Sequence, residues 1–233
     1  MNPVRFKLYH CPALRSARVK WLLHELIGDD FDVVPVDIYG GEQYCEAYLA
    51  LNPNHCVPTL EITLNDGSRM IMIESAAMIA LLADVFPEKH LAPAADELTR
   101  HRADYLQMLH FGTSADMMLW QVRIHEHVLP EQERDARTSR RYRKKFATEV
   151  EPQLSARLAR TQFICGDEFT AADCIIAYNV RWARGYHLCS DKIFGDYLDR
   201  LQQRPAYAKA FSDVHGFKRE VPPESPVVRL FSG

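Results

Sequence analysis

Apolar and polar positions alternate with a two-residue period at the start of the chain and with a helical period over most of the rest. Residues 6–10, Phe-Lys-Leu-Tyr-His, show the two-residue period of a strand. Over residues 14–27, Val19, Leu22, Leu23 and Leu26 recur at helical spacing, and Gly28 stands where a C-cap belongs. Residues 31–36 read as a second strand, with Pro35 compatible with a sheet edge. Gly40-Gly41 breaks the pattern, and residues 42–51 read as a short helix. Residues 59–64 and 70–73 are apolar runs flanking Asn65-Asp66-Gly67, a hairpin turn signal. A helix over 74–85 then stops before Pro87. The order β-α-β-α-β-β-α predicts an α/β layer closed by a hairpin.

Beyond this layer the period is helical throughout. Residues 87–97 read as a linker, so the chain divides into an α/β domain over 1–86 and an all-α domain over 98–233. One long helix is expected over 98–128, stopped by Pro130, and another over 131–160, kinked near Pro152. Thr170-Ala171-Ala172-Asp173 has the spacing of a capping box and opens a helix reaching residue 186. Shorter helices follow over 194–203 and 206–212, and the tail from His215, with Pro222, Pro223 and Pro226, reads as irregular.

Composition narrows the classes of function. The chain has 233 residues, 47% hydrophobic and 25% charged, enough for a substantial core. A net charge of −3 gives no sign of a nucleic-acid partner. The run Arg137, Arg140, Arg141, Arg143, Lys144 and Lys145 follows Glu131, Glu133 and Asp135, as on a solvated helix with its charges ordered along the dipole. No apolar run approaches the roughly 20 residues of a membrane helix, and the first residues lack a signal-peptide core. Cys11, Cys45, Cys56, Cys165, Cys174 and Cys189 show neither a C-x-x-C pair nor a zinc spacing, and read as reduced thiols of a cytoplasmic protein. His125 and His127 are two apart on a helix and do not share a face, so no metal is expected.

Candidate chemistry begins at Val57-Pro58, at the mouth of the third strand. Proline is tolerated at a strand's first residue and is the usual host of a cis peptide. A cis bond there turns the Val57 N–H and C=O toward an extended peptide. Glu74 and Ser75, opening the next helix, are suited to that peptide's charged end. The carboxylate takes an ammonium, and the serine at a helix N-terminus takes a carboxylate. The pattern points to a short peptide-like ligand.

Four segments carry a resemblance. They are Leu8-Tyr9-His10-Cys11-Pro12-Ala13-Leu14-Arg15-Ser16-Ala17-Arg18-Val19-Lys20-Trp21-Leu22-Leu23, Asn52-Pro53-Asn54-His55-Cys56-Val57-Pro58-Thr59-Leu60, Glu74-Ser75-Ala76-Ala77-Met78-Ile79, and Ile164-Cys165-Gly166-Asp167-Glu168-Phe169-Thr170-Ala171-Ala172-Asp173. Their order and spacing resemble the cytosolic glutathione S-transferases, the first segment looking most like bacterial members. The resemblance implies a thioredoxin-like N-terminal domain, an all-helical C-terminal domain and a homodimer. It implies glutathione as co-substrate, with Val57 and Pro58 pairing with the cysteinyl part and Glu74 and Ser75 holding the γ-glutamyl end.

The resemblance implies a group that stabilises the glutathione thiolate, since a free thiol with a pKa near 8.5 is only slightly ionised at neutral pH. Ser16 aligns with the catalytic serine of serine-type members. Cys11 is a rival that would form a mixed disulfide, and Tyr9 a third, since some classes use a tyrosine near the end of the first strand. Tyr105, Met108, His110 and Phe111 are the candidates for a hydrophobic wall facing the second substrate. The loop before Val57 departs from the family's Asn-Pro-x-Gly-Lys. His55 stands for the glycine, and Cys56 removes a basic contact to the glycyl carboxylate that His55 or Arg18 would have to replace. Conjugation of glutathione to small hydrophobic electrophiles is the leading expectation. A glutathione-dependent thiol-disulfide oxidoreductase using Cys11 and a non-catalytic binding or regulatory module on the same fold are the alternatives.

Overall fold

In the computed structural model, which describes residues 4–217, four strands form one sheet. They are β1 (Arg5–His10), β2 (Asp32–Pro35), β3 (Thr59–Thr63) and β4 (Arg69–Met72), in the order β2-β1-β3-β4. β1 and β2 are parallel, and β3 runs antiparallel to both β1 and β4. A parallel pair needs a crossover, supplied here by helix α1 (Ser16–Ile27). The hairpin between β3 and β4 turns at Gly67, whose φ of 85° suits a residue without a Cβ. α3 (Ser75–Val85) follows β4 directly.

Alternation on β1 sends Phe6, Leu8 and His10 inward, where Leu8 meets Leu60 and Phe6 meets Ile62 across the β1–β3 ladder. His10 is the polar member of that buried set. α1 is buried nearly all round, Trp21 included, because a second element covers its far side. That element is α9 (Pro205–Ala210): Trp21 meets the Tyr207 ring edge-on at 5.0 Å and Phe211 at 6.2 Å. Lys209 adds an ion pair to Asp29 at 2.6 Å. Residues 205–217 therefore pack with the α/β layer and not with the helical domain to which the sequence assigns them. The unit boundary after Leu82 falls within α3. The expected helix over 42–51 is split, because Cys45 is extended between a 3-10 turn at Glu42–Tyr44 and a single α turn, α2 (Glu46–Leu49).

The second unit, residues 83–204, is helical. It contains α4 (Arg100–Arg123), α5 (Ala136–Lys145), α6 (Glu151–Leu158), α7 (Ala171–Arg184) and α8 (Lys192–Gln202). The helix expected to continue to 128 widens into a π-turn at Ile124–Val128, and the one expected over 131–160 is divided by another at Phe146–Val150. α4 and α7 cross closely at Gly112, where a Cβ would come within 2.5 Å of Ile175, and Asn179 Nδ2 donates to the Gly112 carbonyl at 2.6 Å. Arg102 grips Asp84 with two bonds of 2.7 and 2.8 Å, and Arg157 grips Asp104 with bonds of 2.7 and 2.6 Å. Among the described residues no helix is long and apolar enough to cross a membrane. The prolines at 222, 223 and 226 lie outside the described residues.

Candidate glutathione site

The loop before β3 is built around one carbonyl. Cys56 O accepts from Tyr48 Oη and from Asn52 Nδ2, both at 2.8 Å. Asn52 Nδ2 also donates to Thr59 Oγ1 at 3.0 Å, and Thr59 Oγ1 lies 3.0 Å from Tyr48 Oη, closing a ring of bonds. Burial pushes the Tyr48 phenol up to about 12, so it stays protonated and able to donate. This ring presents Val57, and the Val57-Pro58 peptide is cis. His55 adopts φ 43°, the left-handed region that glycine favours, with its ring 4.9 Å from that of Tyr44.

Glu74 is exposed with φ 74°, and Ser75 is buried at the first residue of α3. The exposed Cys56 lies within the electrostatic reach of Glu74 and of Arg15. Its thiol is pushed up, first by the protein packed around it and then by the Glu74 carboxylate, while Asn52 and Arg15 pull it down. Arg15, at the N-cap of α1, is thus brought to the cis-proline loop, a role the sequence reading did not give it. Arg18 is fully buried and cannot offer its charge to a ligand.

The three thiolate candidates are placed differently from one another. Ser16, expected to donate to a ligand sulfur, is 0% exposed and turns its hydroxyl into the protein. Its Oγ is 2.8 Å from His10 Nδ1, and it meets both the N–H and the carbonyl of Cys11 at 3.2 Å. Cys11 is 1% exposed in one cluster with Val36, Tyr48 and Val57, against which Tyr9, Leu14 and Phe217 pack. Tyr9 is half-buried, and its hydroxyl donates to Glu61 at 3.3 Å. Its pKa is raised, chiefly by burial and then by the Glu61 carboxylate, which makes it a weaker proton donor than an ordinary tyrosine.

His10 and Asp213, the second of them without a sequence signal, complete the back of the site. His10 Nε2 is 3.0 Å from Asp213 Oδ2, and Lys20 Nζ donates to the same oxygen at 2.5 Å. Burial alone would raise the Asp213 carboxyl, but the bonds from His10 and Lys20 outweigh it and bring it to about 2. Burial likewise holds His10 below its ordinary value, against the pull of Asp213. Both shifts are downward on folding, so both favour the native state at high pH. His10 loses its contribution as pH falls below about 6.5. Asp213 contributes fully above about 4 and loses its part as pH falls toward 2. Asp213→Asn should therefore cost about 1–2 kcal/mol at pH 7, allowing for partial solvent screening. Urea titrations should show that difference vanish in acid. A difference unchanged from pH 7 to pH 3 would contradict the carboxylate's role.

On the second unit, Tyr105 and Met108, expected in a substrate wall, are 0% and 2% exposed. Helical spacing puts them on the same stripe as Leu109, Gly112 and Leu119. His110 is exposed on the side of α4 away from that stripe, and Phe111 is half-buried at the stripe's edge.

A four-stranded layer with a cis-proline loop before its third strand, an acid-hydroxyl pair at the next helix and a helical unit after it has the architecture of the glutathione transferases. The family models for the glutathione S-transferase N-terminal and C-terminal domains match residues 12–85 and 138–211. Glutathione S-transferase 3 of Zea mays is 30% identical over 171 residues, covering 72% of this chain and 73% of that one. Glutathione S-transferase GstA of Escherichia coli is 26% identical over 212 residues, covering 88% and 97%. A glutathione transferase of Phanerochaete chrysosporium, solved with oxidized glutathione, has the same fold, with a TM-score of 0.79, 24% identity and coverage of 91% and 96%. The chain belongs to the glutathione S-transferase family.

Proposed function

We propose that this protein conjugates the thiolate of glutathione to small hydrophobic electrophiles, as a cytoplasmic homodimer. The observation that carries the reading is the cis Val57-Pro58 loop beside Glu74-Ser75 at the start of α3. Val57 pairs with the cysteinyl backbone, Pro58 fixes the loop, Glu74 takes the ammonium and Ser75 the γ-glutamyl carboxylate. His55 borders the glycyl end. The positive end of α1 and the Arg15 guanidinium favour the thiolate over the thiol. Ser16 acts behind them, holding the turn that leads into α1. The thiolate attacks the electrophilic carbon, a halide leaves with the bond's electron pair, and the thiol proton goes to solvent. Binding both reactants together removes much of the entropic barrier. His110 and Phe111 remain the candidates for contact with the electrophile.

The test compares parent and Cys11→Ala in two assays, conjugation of a chlorodinitrobenzene and reduction of a glutathione mixed disulfide. Conjugation by both proteins is expected, because Cys11 is enclosed. Conjugation lost in Cys11→Ala, or disulfide reduction alone in the parent, would replace this reading with an oxidoreductase. No heat of glutathione binding would leave a non-catalytic module.

The Cys56 position yields a second expectation. Lysine there adds a cation beside the glycyl carboxylate, worth about 0.2–1 kcal/mol for an exposed pair, so Cys56→Lys should tighten glutathione binding roughly 1.4–5-fold. The gain should shrink in high salt. Calorimetry at two ionic strengths reads both; weaker binding in the variant would place the glycyl end elsewhere.

A further inference from the structure

His10 sits on the inward face of β1, at the point where the strand gives way to the turn before α1. Its two ring nitrogens have different partners. Asp213 Oδ2 faces Nε2 at 3.0 Å and already accepts from Lys20. A carboxylate only accepts, so Nε2 carries the proton and the Nδ1 of a neutral ring is bare. Ser16 Oγ, 2.8 Å away, then donates to Nδ1 in preference to the Cys11 carbonyl at 3.2 Å. The serine's lone pairs are left to accept the Cys11 N–H at 3.2 Å. The chain of bonds therefore runs one way, from Cys11 N–H to Ser16, from Ser16 to His10, and from His10 to Asp213.

Serine, histidine and aspartate in this order are the groups of a hydrolytic triad, but Ser16 is wholly enclosed and meets no substrate. What the chain of bonds holds is the turn of residues 11–16. Within that turn Leu14 N–H donates to the Cys11 carbonyl at 3.3 Å, and Ala17 N–H to the Leu14 carbonyl at 2.9 Å. The turn carries Cys11 and Leu14 into the cluster that contains Val57, and Arg15 toward Cys56. The far end of the relay comes from a residue 203 positions along the chain from His10.

We infer that His10 is a positioning residue for the glutathione thiol, with Asp213 fixing its tautomer and Ser16 passing its orientation to the turn that opens α1. The inference rests on the proposed seating of glutathione at Val57. Among the described residues, Lys20, Ser16 and Asp213 are the polar and charged groups that face the ring.

The test measures two ligands on parent, His10→Phe, His10→Asn and Asp213→Asn. Thiolate absorbance gives the pKa of bound glutathione, and calorimetry gives the affinity for S-methylglutathione, which has no proton to lose. His10→Phe is expected to raise the bound thiol's pKa by about one, a tenfold loss of thiolate at neutral pH. Its affinity for S-methylglutathione should stay within about twofold. Asp213→Asn should show a smaller rise, and His10→Asn, which keeps a polar group at the Nδ1 position, should recover part of it. Equal weakening for both ligands with an unmoved thiol pKa would show a purely structural role and overturn the inference. If His10→Phe fails to fold, Asp213→Asn carries the same comparison. Nitrogen NMR of the ligand-free parent gives an independent reading: a Nδ1–H tautomer at pH 7 overturns the relay. A parent that binds neither ligand removes the glutathione reading and this one together, whereas normal binding with an unmoved thiol pKa in the variants removes this one alone.

Discussion

Replacing Asp173 by alanine lowers the unfolding free energy by about 4 kcal/mol, a large share of the 5–15 kcal/mol typical of a folded domain. The carboxylate is fully buried at the start of α7. It accepts the Thr170 N–H at 2.9 Å, closing the capping box, and the Thr170 hydroxyl at 3.2 Å. Its other oxygen accepts the Ile164 N–H at 3.0 Å and the Tyr197 hydroxyl at 2.7 Å, reaching α8. Alanine leaves these buried donors without an acceptor, and each such orphan costs about 1–3 kcal/mol. Burial of the carboxyl works the other way and raises its pKa, so the loss stays below the simple sum of the four bonds. Asp173→Asn keeps an acceptor oxygen for one pair of donors and should lose roughly half as much. Urea unfolding at neutral pH reads both. A loss below about 1 kcal/mol in the alanine variant would mean that water or a shifted neighbour satisfies these groups.

The α/β layer was legible because its signals are local. Two-residue alternation on β1, the turn at Asn65-Asp66-Gly67 and the spacing of Val19, Leu22, Leu23 and Leu26 each act within a few residues. What remained hidden depends on distant partners. The apolar stripe of α1 cannot reveal that α9 covers Trp21, since Tyr207 and Phe211 read equally well as a terminal helix of the second unit. The split of residues 42–51 turns on the extended backbone of Cys45, for which the sequence holds no breaker.

The backbone features at Val57-Pro58 and Glu74-Ser75 were similarly local, each set by a dipeptide at an element boundary. The thiol side was not. A serine in the first turn of a helix reads as available, and only His10 and Asp213 show why Ser16 faces inward. His10 did carry a signal, as the polar residue on the apolar side of β1, but Asp213 carried none. The burial of Tyr105 and Met108 was not legible because the core stripe of α4 also contains Gly112 and Asp116, which an apolar count passes over.

Glu74→Gln should weaken glutathione binding roughly 10–150-fold, the loss of one charge-assisted hydrogen bond worth about 1.5–3 kcal/mol. The backbone gives this residue a second, independent signature. Glu74 holds φ 74°, where a Cβ is strained and glycine is at ease. A non-glycine residue in that region costs on the order of 1 kcal/mol or more, and the exposed side chain offers no burial in return. Glu74→Gly should accordingly leave thermal stability unchanged or raise it by up to about 1 kcal/mol, while removing the ammonium contact altogether. Affinity and stability then move in opposite directions at one position, which a residue kept for folding would not do. Calorimetry with glutathione and a thermal melt on the same samples decide it. If Glu74→Gly melts well below the parent and binds glutathione as tightly, the strain serves the loop and the ligand's ammonium is held elsewhere.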